Sequence, residues 1–183
     1  MRCYRRLTAP CAALFLLSSI AHAAEPLKIG SRVEPLLDDY LIDQMEDGAA
    51  LHLHKPQPGE VVLVTDEPWE GNTCAYYTVF QDGDLYRMYY RGSHFDEQTR
   101  KAAHPEVVCY AESKDGIHWT KPELGLFDFE GSKENNIVWS GQGTHNLTPL
   151  KDENPKCAPE ARYKALGRGK GGLYAFQSPD GIH

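Results

Sequence analysis

A chain of 183 residues, 41% hydrophobic and 25% charged, has the composition of one folded domain, and this excludes disordered, collagenous and membrane-embedded classes. Its 26 acidic residues against 19 basic ones give a formal charge of −7, which argues against nucleic acid or an anionic membrane as partner.

The chain opens on an export signal. Arg2, Arg5 and Arg6 form a basic region, residues 11–20 an apolar one, and Ala21-His22-Ala23 places small residues at the cleavage positions. The apolar run is shorter than the roughly 20 residues of a membrane span. Residues 1–23 therefore read as a signal peptide cleaved near Ala23, and the protein as secreted or periplasmic. Cleavage removes three arginines and no acid, leaving 16 basic and 26 acidic residues, a net of −10. Three cysteines stay behind, Cys74, Cys109 and Cys157. A Cys74–Cys109 bridge and buried free thiols both fit that odd number. No pair has metal-ligand spacing, so neither a metal nor another cofactor is expected.

Next come a lead-in with Gly30 and Pro35, and then Leu36–Asp43, where three carboxylates adjoin an apolar run. As a strand this places Asp38 and Asp39 on opposite faces; as a capped turn, Asp accepts backbone N–H bonds. Leu51–His54 reads as a strand with His52 and His54 on one face, and Val61–Val64 as a buried strand. Trp69-Glu70-Gly71-Asn72 then leads into Tyr76–Phe80, whose aromatic and β-branched residues suit a pleated surface. Asp82-Gly83 marks a hairpin, Leu85–Arg91 a second strand, residues 93–106 a solvated loop and Val107–Ser113 a third strand. Lys114-Asp115-Gly116 is a turn, Ile117-His118-Trp119 begins a fourth strand, and Pro122 stops it. A polar connection, residues 128–136, reaches two further strands, Asn136–Trp139 and Thr144–Leu150, followed by Asp152 and Asn154. Asn146-Leu147-Thr148 matches the glycosylation acceptor pattern.

The chain repeats itself. Ser113, Asp115, Gly116, Ile117 and His118 recur 65 residues later as Ser178, Asp180, Gly181, Ile182 and His183. Tyr86–Gly92 recurs 77 residues later as Tyr163–Gly169. The 12-residue difference is one loop: 14 residues, 93–106, in the first copy against Lys170 and Gly171 in the second. Repeated units of four short antiparallel strands are the signature of propeller blades, about 72–122 and 139–183 here. The expected fold is all-β, of five-bladed propeller type, with the N-terminal segment and about two blades in residues 24–183. That is too short for a whole ring, so the chain reads as the N-terminal part of a longer protein.

Tyr86-Arg-Met-Tyr-Tyr-Arg-Gly92 followed by Ala111-Glu-Ser-Lys-Asp-Gly-Ile-His-Trp119 resembles the five-bladed propeller glycosidases, the arabinanase, levansucrase and invertase superfamily. With Leu36–Asp43 and Trp69–Gly71, residues 32–183 are similar to secreted bacterial proteins described as family-32-like. Such enzymes cleave glycosidic bonds with paired carboxyl groups. The resemblance implies a base or nucleophile at Asp38 or Asp39, a transition-state-stabilising acid at Asp152 and a general acid beyond His183. By position, Glu70, Asn72, His145 and Asn146 would line the substrate funnel. The family-32 nucleophile motif Asn-Asp-Pro-Asn-Gly and the Arg-Asp-Pro motif are absent. Glu112 matches Gln177 in the repeat, which favours a structural place for it. The expected function is a secreted glycoside hydrolase acting on a carbohydrate; the alternative is a catalytically silent propeller that binds carbohydrate or protein.

Overall fold

The computed structural model describes residues 25–35 and 37–183, so the expected signal peptide lies outside the described residues. These residues fall into two units, divided between Pro56 and Gln57. The first contains turns and extended chain but no strand or helix among its described residues. The second is all-β, and no helix among the described residues is long and apolar enough to cross a membrane.

In the second unit, β1 (Ala75–Asp82) and β2 (Leu85–Gly92) form a hairpin across Gly83, whose φ of 62° explains the glycine. A small hairpin, β3 (Phe95–Asp96) with β4 (Lys101–Ala102), occupies the loop read as merely solvated. β5 (Val107–Ser113) pairs with β2, and its other edge is shared by β6 (Trp119–Thr120) and β7 (Ile137–Ser140). The second sheet is β8 (His145–Lys151), β9 (Tyr163–Gly169) and β10 (Gly172–Ser178), in the order β10-β9-β8. Every pairing is antiparallel.

Strand alternation explains the core. Met88, Tyr90, Val107, Cys109 and Ala111 project from one face of the first sheet and pack with Ile137, Leu63, Trp69 and Phe129. Tyr89, Val108 and Tyr110 project from the other and pack with Val138, Phe80, Leu147 and Ile182. The first sheet is thus buried on both faces, and its second core cluster includes Leu147 of β8 and Ile182 from the turn after β10. The expected strand Leu51–His54 does not form, nor does Val61–Val64; Leu63 reaches the core from irregular chain, with no partner strand beside it.

The repeat holds residue by residue. β1 and β8 lie 70 residues apart, and each shifts register near its start, between Ala75 and Thr78 and between His145 and Thr148. Tyr76 and Asn146 hold left-handed φ of 60° and 57° at these matching irregularities, a costly conformation for side chains with a Cβ. Cross-strand partners match as well: Gln81 with Tyr86 becomes Lys151 with Tyr163, and Thr78 with Tyr89 becomes Thr148 with Leu166. The two turns repeat their bonding. Ser113 Oγ accepts the Gly116 amide at 2.9 Å, and Ser178 Oγ the Gly181 amide at 2.8 Å. Asp115 Oδ1 accepts the amides of Ile117 and His118 at 2.9 and 2.8 Å; Asp180 Oδ1 accepts those of Ile182 and His183, both at 2.8 Å.

Candidate functional site

The expected site residues fall into separate places. Asp38 and Asp39 are exposed and lie in a turn of the first unit, so the opposite-faces reading does not apply. Asp38 Oδ1 accepts the Tyr40 amide at 3.0 Å, the capping role a short carboxylate takes in a turn. The His52 and His54 rings meet edge to face at 4.8 Å, and among the described residues no group of three or more His, Cys, Asp or Glu is placed to hold a metal. The three thiols are free.

Glu70 is 0% exposed. Its Oε1 accepts the Tyr90 hydroxyl at 2.6 Å, and its Oε2 accepts Lys121 Nζ at 2.8 Å and the Glu67 amide at 3.0 Å. Asn136 closes the network, donating to the Tyr90 hydroxyl at 2.9 Å and accepting from Trp69 Nε1 at 2.7 Å. Burial above all pushes the Tyr90 hydroxyl far above its ordinary pKa. A carboxylate held this way anchors the segment before β1 to the first sheet and does not face a ligand. Asn72 is exposed but occupied: it accepts the Phe95 amide at 2.9 Å and donates to the Phe95 carbonyl at 3.0 Å, pinning β3.

Asp152 follows the last residue of β8, seven positions from His145, roughly 20 Å along an extended strand. It forms an ion pair with Lys164, and that hydrogen bond, with the Asn154 amide, holds its carboxyl down at about 2. One site therefore cannot contain both His145 and Asp152, and Asp152 stays ionised.

His145 does have polar company, where the two sheets meet at the start of β8. Its Nδ1 lies 3.0 Å from both oxygens of Glu106 and 3.2 Å from Arg91 Nη1. Nδ1 therefore sits between a carboxylate it can donate to and a guanidinium it can accept from. Arg91 Nη1 also donates to Glu106 Oε1 at 3.2 Å, and Nη2 to the Thr73 carbonyl at 2.9 Å. The Arg91 guanidinium lies 4.6 Å above the Tyr76 ring, whose centroid is 5.3 Å from that of His145. Tyr76 holds a left-handed backbone, φ 60°, at this place. Beside the cluster opens a notch of about 380 Å³, lined by Glu106, Gln142, Gly143, Thr144, His145 and Arg168. Asn146, the other expected residue here, is exposed and occupies the strained position of β8. A cavity of about 140 Å³ lies elsewhere, between Tyr89, Trp139, Leu147 and Phe176, and its lining is mostly apolar.

Sequence reasoning found His145 and missed Arg91, Glu106 and Tyr76. Arg91 and Glu106 stand 15 residues apart, with His145 another 39 away, so no local motif joins them. The available signal was the repeat, which pairs Arg91 with Arg168 at the edge of each unit.

No family model matches the chain. Two uncharacterised proteins from strains of Mycobacterium tuberculosis are each 41% identical to it over 60 residues, 33% of this chain. The matched segment spans about a fifth of those relatives, 20% of their length. No solved structure matches. The residues themselves therefore carry the functional reading.

Proposed function

We propose that this is a secreted, glycoside-hydrolase-like β-propeller, and that the described sheets are two of its blades. The observation that supports it best is the repetition of sheet, irregular first strand and capped turn, residue for residue, since propellers are built from such units. On this reading β1 and β8 line the central funnel, and their irregular starts stand at its mouth. Arg91, Glu106, His145 and the exposed Tyr76 then supply what a sugar needs: directional polar groups beside an aromatic face.

Hydrolysis requires two carboxyl groups on opposite sides of the scissile bond. Glu106 is ion-paired with Arg91, and Asp152 stands at the far end of β8. We therefore assign recognition to the Arg91–Glu106–His145 cluster. The resemblance would put the nucleophile or base at Asp38 or Asp39 and the general acid in a later blade. The pairing of Glu106 with Arg91 favours a second reading, a binding propeller without catalysis.

The test is a polysaccharide panel applied to the full-length secreted protein. Sugar release lost in Asp38→Asn or Asp39→Asn, with the fold intact, supports hydrolysis. His145→Ala should weaken binding by about tenfold under either reading, the effect of losing a charge-assisted contact. Binding that falls in His145→Ala, with no release by the parent, selects the binding propeller. Binding unaffected by His145→Ala overturns the site.

A further inference from the structure

The notch beside His145 holds one unanswered charge. Arg91 and Arg168 occupy matched positions, Arg91 across from Ala75 in the β1–β2 pairing and Arg168 across from His145 in the β8–β9 pairing. The Arg91 guanidinium bonds Glu106, the Thr73 carbonyl and His145, and lies over the Tyr76 ring. Three of those partners are lost or changed at the places that match them around Arg168. The loop that carries Glu106 shrinks to Lys170 and Gly171, Tyr76 becomes Asn146, and Thr73 becomes Gly143. Arg168 is exposed and has no side-chain partner among the described residues. Glu106 does not answer it, because that carboxylate is shared by Arg91 Nη1 at 3.2 Å and His145 Nδ1 at 3.0 Å.

Arg168 lines the notch together with Glu106 and His145, and Gly141, Gly143 and Gly169 add bare backbone to it. A Cβ at Gly141 would meet nothing within 4 Å, so the space over it is open. Gln142 Oε1 accepts the Lys170 amide at 3.0 Å and fixes the short loop at the rim. The volume, about 380 Å³, falls at the lower end of ligand pockets and suits one sugar ring. A guanidinium presents paired N–H donors in a rigid fork that matches two oxygens of a carboxylate or sulfate. In a recess its charge acts through less water than on an open surface, so its attraction is stronger.

We infer that Arg168 determines the specificity of this notch, and that the sugar it selects is anionic, bearing a carboxylate or a sulfate ester. This deepens the recognition reading and rests on it, but not on any catalytic activity. Arg168 takes the anionic group, while His145 and Tyr76 remain for the hydroxyls and the ring face. In a chain with 26 acidic residues against 19 basic ones, a cation left free in a recess is where a negative ligand is tolerated.

The experiment measures affinities of the full-length secreted protein by calorimetry. The probes are an oligogalacturonate, its methyl ester, a sulfated galactan oligosaccharide and its desulfated form. The parent should prefer one charged probe to its neutral form by about tenfold, the effect of one charge-assisted contact, and added salt should shrink that preference. The oligogalacturonate preferred assigns the charge to a carboxylate, and the sulfated probe preferred assigns it to a sulfate ester. Arg168→Gln should abolish the preference, and Arg168→Lys, which keeps the charge without the fork, should retain part of it. Both variants should keep the parent's melting temperature, because the side chain is exposed. Equal affinity for charged and neutral forms overturns the inference, and so does a preference that survives Arg168→Gln. Neutral sugars bound through His145 without a charge preference overturn it and leave the recognition reading standing. Binding of none of the four probes overturns it as well, and the neutral polysaccharide panel then decides the recognition reading separately.

Discussion

In the first copy of the repeated turn, the side chains of His118 and Asp115 are 85% and 50% exposed, and the Gly116 carbonyl accepts the indole N–H of the nearby Trp119 at 3.0 Å. In the second copy the Asp180 carbonyl accepts Arg87 Nη1 and the Gly181 carbonyl accepts the Tyr89 hydroxyl, both at 2.9 Å, while Ile182 enters the core. The internal bonding of the two turns is the same. One is a free cap and the other is the clasp between two sheets. The sheets differ in the same way, the first buried on both faces and the second on one. Local chemistry builds the unit, and its neighbours decide what the unit does.

Substitutions in the two copies probe that difference. The largest effect is expected at Glu70, an anchor with no counterpart in the second copy. Glu70→Ala leaves Lys121 and the Tyr90 hydroxyl without their buried partner, and should cost about 3–5 kcal/mol in urea unfolding. A loss below about 1 kcal/mol would mean the first sheet does not depend on that anchor.

Asp82 and Asp152 form the next comparison. Asp82→Asn disrupts three cationic or hydroxyl contacts at a side chain 9% exposed and should cost about 2–3 kcal/mol, whereas Asp152→Asn should change stability by less than about 0.5 kcal/mol. Burial pushes the Asp82 carboxyl up, but the bonds from Lys151 and Tyr163 and the charge of Arg87 outweigh it and leave the carboxyl below its ordinary value. With the folded pKa depressed, this stabilisation is full above the unfolded carboxylate value of about 3.9 and is lost as pH falls through the folded one. Acid unfolding of Asp82→Asn should accordingly be flatter than the parent's below about pH 4.

Gly92 and Gly169 are matched glycines with different surroundings. A Cβ at Gly92 would strike the Trp69 carbonyl, rigid backbone, and the Val107 side chain, while one at Gly169 meets side chains alone, the Tyr174 ring at 2.7 Å and Gln142 Oε1 at 2.9 Å. Gly92→Ala should lower stability by about 1–3 kcal/mol and Gly169→Ala by less, measured as melting temperatures.

The smallest effect concerns the free turn. The hydrogen bond to Asp115, then its charge, raise the His118 pKa above the ordinary value. A raised folded pKa stabilises fully below the unfolded value of about 6.5, and the gain disappears as pH rises through the folded value. NMR titration of His118 should show the upward shift, and Asp115→Asn should abolish it.

Much of the fold was legible in the chain. The Asp-Gly hairpin, the strand Val107–Ser113 and the repeated turn all follow from residues within a few positions of one another. The candidate site was legible only at His145. Glu70 looked like a funnel residue from its place before the first strand, yet its partners Tyr90 and Lys121 lie 20 and 51 residues away and enclose it. Asp152 looked like a transition-state-stabilising acid from the family resemblance, but the length of β8 separates it from His145.

By itself, then, the amino-acid sequence determined the unit: alternating strands, a glycine where φ must be positive, and serine and aspartate oxygens within three residues of the amides they cap. Such interactions need no distant partner. Tertiary structure alone decided which faces are buried, that Glu70 is an anchor, and that Arg91, Glu106 and His145 meet. Those outcomes require side chains 15 to 54 residues apart to converge, and convergence depends on how whole sheets pack.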